Sequence, residues 1–190
     1  IVCLTAYTAP MAAVLDAYCD LMLVGDSLAM VVYGMDNTRD IDLDTMIRHG
    51  KAVMRRQETA LVVIDLPAGS YEDSPEQAIA SARRVIDETG AHGVKLEGGI
   101  AMRAHVQAIS GSGIPVMGHI GFTPQFKKKF KIEGATSASA IKLLKEAKKI
   151  EKAGAFSIVL ECLSPASAKL ITNSLKIPTI GIGSSSYCDG

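Results

Sequence analysis

Asp26, Asp65, Lys95, Glu97, His119 and Glu161 share one feature: each stands at or just past the end of a short apolar run. The endings read Gly25-Asp26-Ser27, Asp65-Leu66-Pro67, Lys95-Leu96-Glu97-Gly98-Gly99, Gly118-His119 and Glu161-Cys162. A lone Asp after a strand is ordinarily a loop or cap residue. Five successive runs with titratable endings imply more, because like charges gathered in a fold are costly unless a metal or ligand compensates them. Asp26, Asp65 and Glu97 offer an all-oxygen donor set, which suits a hard divalent ion such as Mg²⁺ better than zinc. Lys95 and Glu97 are two residues apart in one run, so on a strand both point the same way. That pair reads as a structural salt bridge or as a cation holding a substrate carboxylate beside the metal. His119 reads equally as a core histidine or as a ligand. Glu161 follows Ser157-Ile158-Val159-Leu160 and is the candidate general base, because an apolar surrounding makes a carboxylate a better proton acceptor.

These residues need elements that carry them to one place. Apolar runs at residues 1–6, 21–25, 60–64, 93–96, 114–118, 156–160 and 177–182 read as strands, and their near-continuous hydrophobicity fits parallel strands covered on both faces. Helical patterns lie between them. Residues 8–18 present Met11, Val14, Leu15 and Tyr18, and residues 43–56 present Met46, Ile47, Val53 and Met54. Ser74-Pro75-Glu76-Gln77 supplies a cap, a proline at the first helical position and a capping-box Gln, with Gly90 as the stop. Residues 138–153 place Ile141, Leu144 and Ile150 inward, and Ser164-Pro165 opens a helix to about Leu175. Alternating strands and helices mean a parallel sheet, either open and doubly wound or closed as a (β/α)₈ barrel. A barrel typically takes ~250 residues, so residues 1–190 read as a single barrel domain of α/β class whose last unit is absent from the sequence. In either architecture the carboxyl ends of the strands converge on the ligand-binding face.

Composition excludes several other functions. Lys plus Arg and Asp plus Glu each number 20, so no net field favours nucleic acid, a membrane or an acidic partner. Absent Trp and an aromatic share of 5% argue against base-stacking surfaces. No apolar run approaches the ~20 residues of a membrane span, and the first residues lack the basic region of a signal peptide. Cys3, Cys19, Cys162 and Cys188 show no CxxC spacing and read as reduced thiols of a cytoplasmic protein.

Several stretches together resemble the ketopantoate hydroxymethyltransferase (3-methyl-2-oxobutanoate hydroxymethyltransferase) family. They are Leu4-Thr5-Ala6-Tyr7, Leu23-Val24-Gly25-Asp26-Ser27-Leu28 with Val31-Val32-Tyr33-Gly34, and Asp65-Leu66-Pro67 with Gly69-Ser70-Tyr71. The match continues through Val94-Lys95-Leu96-Glu97-Gly98-Gly99, through residues 114–125 ending in Thr123-Pro124-Gln125, and through Ile177-Pro178-Thr179-Ile180-Gly181-Ile182-Gly183. The resemblance implies a barrel of the phosphoenolpyruvate/pyruvate type and a role in pantothenate and coenzyme A biosynthesis. It implies Mg²⁺ on Asp26 and Asp65 with Glu97 close by. Substrate would be held by Asp26, Ser27, Asp65 and Lys95, and Glu161 would accept the proton. The co-substrate would be 5,10-methylenetetrahydrofolate and the acceptor a small 2-oxo acid, in a homo-oligomer without nucleic-acid or membrane partners.

The sequence departs from the family pattern in three places. Phe126-Lys127-Lys128-Lys129-Phe130-Lys131 replaces a longer polar, glycine-containing loop; Ser184-Ser185 follows Gly183 where the family has Ala-Gly; and Ala68 stands where Phe is usual. The lysine run reads as a solvated loop. Two rival functions share the residues: a lyase of the same barrel superfamily acting on a 2-oxo acid, and a non-catalytic binding or assembly descendant. The catalytic cysteine motif of the isocitrate lyase group is not evident here.

Overall fold

In the computed structural model, which describes residues 1–127 and 129–190, the apolar runs form seven parallel strands in the order β1 to β7. These are β1 (Cys3–Thr5), β2 (Leu21–Val24), β3 (Leu61–Asp65), β4 (Gly93–Lys95), β5 (Val116–Gly121), β6 (Ser157–Glu161) and β7 (Thr179–Ile182). Each strand pairs with its sequence neighbour, so every connection is a crossover over the same side, which curls the sheet into a (β/α) barrel. Asp189 and Gly190 lie against β7, with Gly181 N donating to Gly190 O at 2.8 Å. The Ile1 amino group donates to Asp189 O at 2.7 Å, so this stretch bridges the lower ends of β7 and β1.

The helices are α1 (Ala9–Leu15), α2 (Leu28–Val31), α3 (Leu43–Met54), α4 (Pro75–Thr89), α5 (Arg103–Gly111), α6 (Ser137–Lys152) and α7 (Pro165–Thr172). Most begin where a side chain can accept from an orphan amide. Asp42 caps α3 through Thr45 N, and Ser74 caps α4 through Gln77 N with Pro75 behind it. Thr136 and Ser139 form a reciprocal capping box at α6. Gly90 ends α4 at φ 74°, a conformation that favours glycine.

Several boundaries differ from the sequence reading. β3 and β6 run on through Asp65 and Glu161, and β5 runs to Gly121, which puts His119 inside its strand. The 8–18 pattern breaks after Leu15 into a 3₁₀ turn, Asp16–Tyr18. Val14 and Tyr18 there are 65% and 75% exposed rather than packed inward. In α6 the buried side is Leu143, Ala147 and Ile150. Ile141 is half-exposed, because the inward stripe runs through Leu143, Ala147 and Ile150. Helix α5 has no counterpart in the sequence reading; no side chain caps its start. Cys3, Cys19, Cys162 and Cys188 are free thiols.

Strand alternation divides the core. Met22, Val24, Ile64, Val94, Val116 and Ile158 face outward under the helices. Leu21, Val63, Met117, Val159 and Ile180 face the barrel axis. Asp65, His119 and Glu161 stand two residues past Val63, Met117 and Val159 on the same inward side, and Lys95 is level with Asp65.

Candidate active site

Register sets Asp65 beside Lys95, with His119 and Glu161 two and four residues further along β5 and β6. Asp65 is opposite Lys95 across β3 and β4, Lys95 is opposite Met117, and Gly121 is opposite Glu161. Lys95 Nζ donates to Asp65 Oδ1 at 2.8 Å with both groups buried. Asp65 Oδ2 accepts from Asp26 N at 3.0 Å, tying the turn after β2 to the end of β3. Gly25 leaves room for the Ser27 hydroxyl, since a Cβ there would lie 2.9 Å from Ser27 Oγ. Tyr7, just past β1, pairs its hydroxyl with Ser27 Oγ at 2.8 Å.

His119 links the other carboxylates. Its Nδ1 stands 3.4 Å from Glu97 Oε1 and its Nε2 3.2 Å from Glu161 Oε2. Neither nitrogen is aligned for a good hydrogen bond, so the contacts are charge proximity rather than directed bonds. His119 is thus a buried histidine whose ring stands against two carboxylates of the site. Glu161 is 17% exposed at its side chain and has an imidazole beside it, where the sequence suggested apolar surroundings. The residue after it, Cys162, turns the chain at φ 56°, a strained angle for a side-chain-bearing residue that marks the rim of a site.

Sequence reasoning gave no role to two residues that organise this face. Gln125, in the loop after β5, donates from Nε2 to Asp26 Oδ2 at 2.8 Å and to Leu66 O at 3.1 Å. Its backbone N donates to Glu97 Oε2 at 3.0 Å. Tyr71, fully buried after β3, donates its hydroxyl to Gln125 Oε1 and accepts from Glu97 N at 3.2 Å. One amide and one phenol thus hold Asp26 and Glu97 in place. The only sequence signal was their position inside the stretches after strands three and five.

Electrostatics follow from this crowding. Burial raises Asp26, the nearby Asp65 and Glu97 charges raise it further, and Lys95 and Gln125 oppose; the net result is about 7. Burial would deprotonate Lys95, but Asp65, Glu97 and Asp26 outweigh it and keep the ammonium charged. Burial also raises Glu97, yet His119, Lys95 and the Gln125 amide hold it below the ordinary carboxylate range. For His119, burial and Lys95 disfavour the proton while Glu161 and Glu97 favour it, and the ring ends above its usual value.

Asp26, Asp65 and Glu97 against Lys95 leave the buried cluster with surplus negative charge, the condition a divalent cation relieves. Among the described residues no three His, Cys, Asp or Glu groups form a ready-made cage. The donors instead fit an ion of the Mg²⁺ kind, which takes one or two carboxylates and completes its shell with water and substrate oxygens. Asp26 Oδ1 has no protein partner among the described residues, and Asp65 lies beside it. Glu97 Oε2 accepts from Gln125 N, and Asp65 accepts at both oxygens, from Lys95 and from Asp26 N.

The family described as ketopantoate hydroxymethyltransferase matches residues 1–190. A 3-methyl-2-oxobutanoate hydroxymethyltransferase of Mesorhizobium japonicum is 54% identical over 193 aligned residues, covering 100% of this chain and 68% of the relative. The enzyme of the same name from Bordetella petrii is 50% identical, covering 100% and 70%. Among solved structures, a putative phosphonomutase from Burkholderia cenocepacia J2315 superposes with TM-score 0.75 at 20% identity over 95% of this chain and 76% of that one. A phosphonopyruvate hydrolase gives TM-score 0.72 at 12% identity over 95% and 66%. At such identities these structures speak for the barrel fold alone.

Proposed function

The chain belongs to the ketopantoate hydroxymethyltransferase family, and from that premise we propose that it moves a hydroxymethyl group from 5,10-methylenetetrahydrofolate to 3-methyl-2-oxobutanoate, in pantothenate and coenzyme A biosynthesis. The observation that carries the reading is the buried Asp26–Asp65–Lys95 cluster facing Glu161 across the top of one barrel. Overall, the C3–H bond of the oxo acid breaks, a C3–CH₂ bond forms, water supplies the hydroxyl oxygen and tetrahydrofolate leaves. Asp26 and Asp65 would hold Mg²⁺, with Glu97 behind them. When bound, the ion supplies positive charge opposite the keto and carboxylate oxygens, which lowers the cost of enolate formation.

The protein's own groups do the rest. Lys95, charged and fixed by Asp65, balances substrate negative charge. Asp26, Ser27 and Asp65 orient the oxo acid, with Tyr7 fixing the Ser27 hydroxyl. Glu161, at the partly open rim with the His119 ring 3.2 Å beside it, accepts the C3 proton. Gln125 and Tyr71 hold Asp26 and Glu97 from the closed side. The exposed apolar run Met30, Val31, Val32 and Tyr33, each at least 44% exposed, supports association of copies into a homo-oligomer.

Ketopantoate formation from 3-methyl-2-oxobutanoate and methylenetetrahydrofolate tests the reading. Product is expected with Mg²⁺ and is lost on chelation. Cleavage of an oxo acid without use of the folate would assign a lyase instead.

A further inference from the structure

A cavity of about 340 Å³ lies outside the barrel axis, between the ends of β4 and β5 and helix α6. Gly98, Gly99, Phe126, Lys127, Lys142 and Glu146 contribute to its wall. It adjoins the site described above: Gly98 directly follows Glu97, one residue or roughly 4 Å of backbone away, and Phe126 directly follows Gln125.

Glu146 is the unusual member. Its carboxylate is half-buried, yet it makes no hydrogen bond or ion pair among the described residues. Its Oε2 lies 3.4 Å from where a Cβ on Gly99 would stand, so it reaches the Gly98–Gly99 turn. A partly desolvated carboxylate without a donor is an unfavourable arrangement that a ligand with N–H groups would relieve. Beside it is an aromatic face. The Phe126 ring is 46% exposed and stands 3.1 Å from where a Gly98 Cβ would be. The two glycines keep this floor free of side chains.

The charges decide what kind of ligand fits. Lys127 is already occupied, donating to Glu133 Oε1 at 2.8 Å and to Gly121 O at 2.6 Å. Lys142 and Glu146 then balance, so the cavity is no anion site; it suits a flat, neutral ring with a donor edge. Lys127, Glu133 and Lys142 also border a surface depression that continues to Lys129 and Lys131. There the cations outnumber the single carboxylate.

We propose that the cavity holds the pterin end of the one-carbon donor. Glu146 accepts the paired N–H groups of its pyrimidine edge, Phe126 lies against the ring, and Lys129 and Lys131 in the adjoining depression receive the carboxylates of the glutamyl tail. This rests on the hydroxymethyl-transfer reading, and it gives a use to the lysine run that departs from the family pattern; Lys128 of that run lies outside the described residues. Two-point N–H to carboxylate pairing and ring stacking are both strong in a partly dry pocket. Burial raises the proton affinity of Glu146 against the opposing Lys142 and Lys127 charges, which makes it a good acceptor.

Calorimetric titration of the purified protein with tetrahydrofolate, as mono- and triglutamate, tests the assignment. Glu146→Gln keeps the shape but loses the charge, and is expected to weaken binding of both forms by on the order of tenfold or more. Phe126→Ala is expected to weaken both as well. Lys129→Ala with Lys131→Ala is expected to erase the preference for triglutamate while retaining monoglutamate binding. Unchanged tetrahydrofolate affinity in both Glu146→Gln and Phe126→Ala overturns the proposal. Folate-free exchange of the oxo-acid C3 proton, measured on the same wild-type sample, reports the metal site separately. If that exchange is present and the variants bind normally, the cavity is wrongly assigned; if it is absent, the underlying function is.

Discussion

Two buried aspartates mark the two ends of this barrel and are treated in opposite ways. Asp16, below the strands at the end of α1, is 7% exposed and accepts from the backbone N–H groups of Glu58, Thr59 and Ala60 and from the Thr59 hydroxyl. Burial would raise its pKa, but these donors hold it below the ordinary carboxylate range. Asp26, above the strands, is 4% exposed. It shares its surroundings with Asp65 and Glu97, and it is pushed up to about 7. The barrel interior repeats the contrast: Leu21, Val63, Met117, Val159 and Ile180 pack the lower layers, while Asp65, Lys95, His119 and Glu161 fill the upper ones. The lower end is satisfied in itself. The upper end is left electrostatically incomplete, which is what a site for a cation and an anionic substrate requires.

The contrast can be broken most sharply at Glu161. Glu161→Gln is expected to lower turnover by about 10²- to 10⁴-fold, the usual worth of a positioned base, while the chain still folds; steady-state ketopantoate formation and circular dichroism check both parts. Next comes Lys95→Met, which leaves Asp65 buried and unpaired. Denaturant unfolding of metal-free protein should show a loss of about 3–5 kcal/mol. Adding Asp65→Leu to Lys95→Met should restore most of that stability while activity stays absent, because the pair serves the site more than the fold. In the lower layer, Met117→Ala removes a fully buried side chain and is expected to cost about 2–5 kcal/mol by the same measurement.

The smallest effects are the pH slopes, and their signs should differ. Asp16 has a lowered folded-state pKa, so its contribution is present above the ordinary carboxylate range and is lost as pH falls through that lowered value. Asp26 has a raised one. As pH climbs from the ordinary carboxylate range to about 7, the unfolded chain ionises first and metal-free stability falls. Asp16→Asn should therefore flatten the acid side of the stability profile, and Asp26→Asn the slope approaching neutrality. Because Mg²⁺ needs the ionised carboxylate, its stabilising effect should be larger at pH 8 than at pH 6.

The lower end and the strand plan were legible because they depend on repetition. Apolar runs, caps such as Ser74-Pro75 and the stop at Gly90 each follow from a local rule, and the structure keeps them. The polar strand endings were legible for a related reason: period-two geometry turns Asp65, Lys95, His119 and Glu161 toward one axis once the strands are parallel. Gln125 and Tyr71 were not, because neither carries a charge and both sit on loops whose path no periodicity specifies. Helices α2 and α5 escaped because neither has a side-chain cap to announce it. Ile141 was placed inward by spacing alone, but the side of α6 that packs carries Leu143, Ala147 and Ile150.

The most direct test of the upper end is exchange of the C3 proton of 3-methyl-2-oxobutanoate with solvent deuterium, followed by proton NMR without any folate. Exchange that requires Mg²⁺ and collapses in Glu161→Gln is the predicted result. Wild-type protein that binds Mg²⁺ and the oxo acid yet shows no exchange, or a Glu161→Gln variant that exchanges at the wild-type rate, would contradict the account.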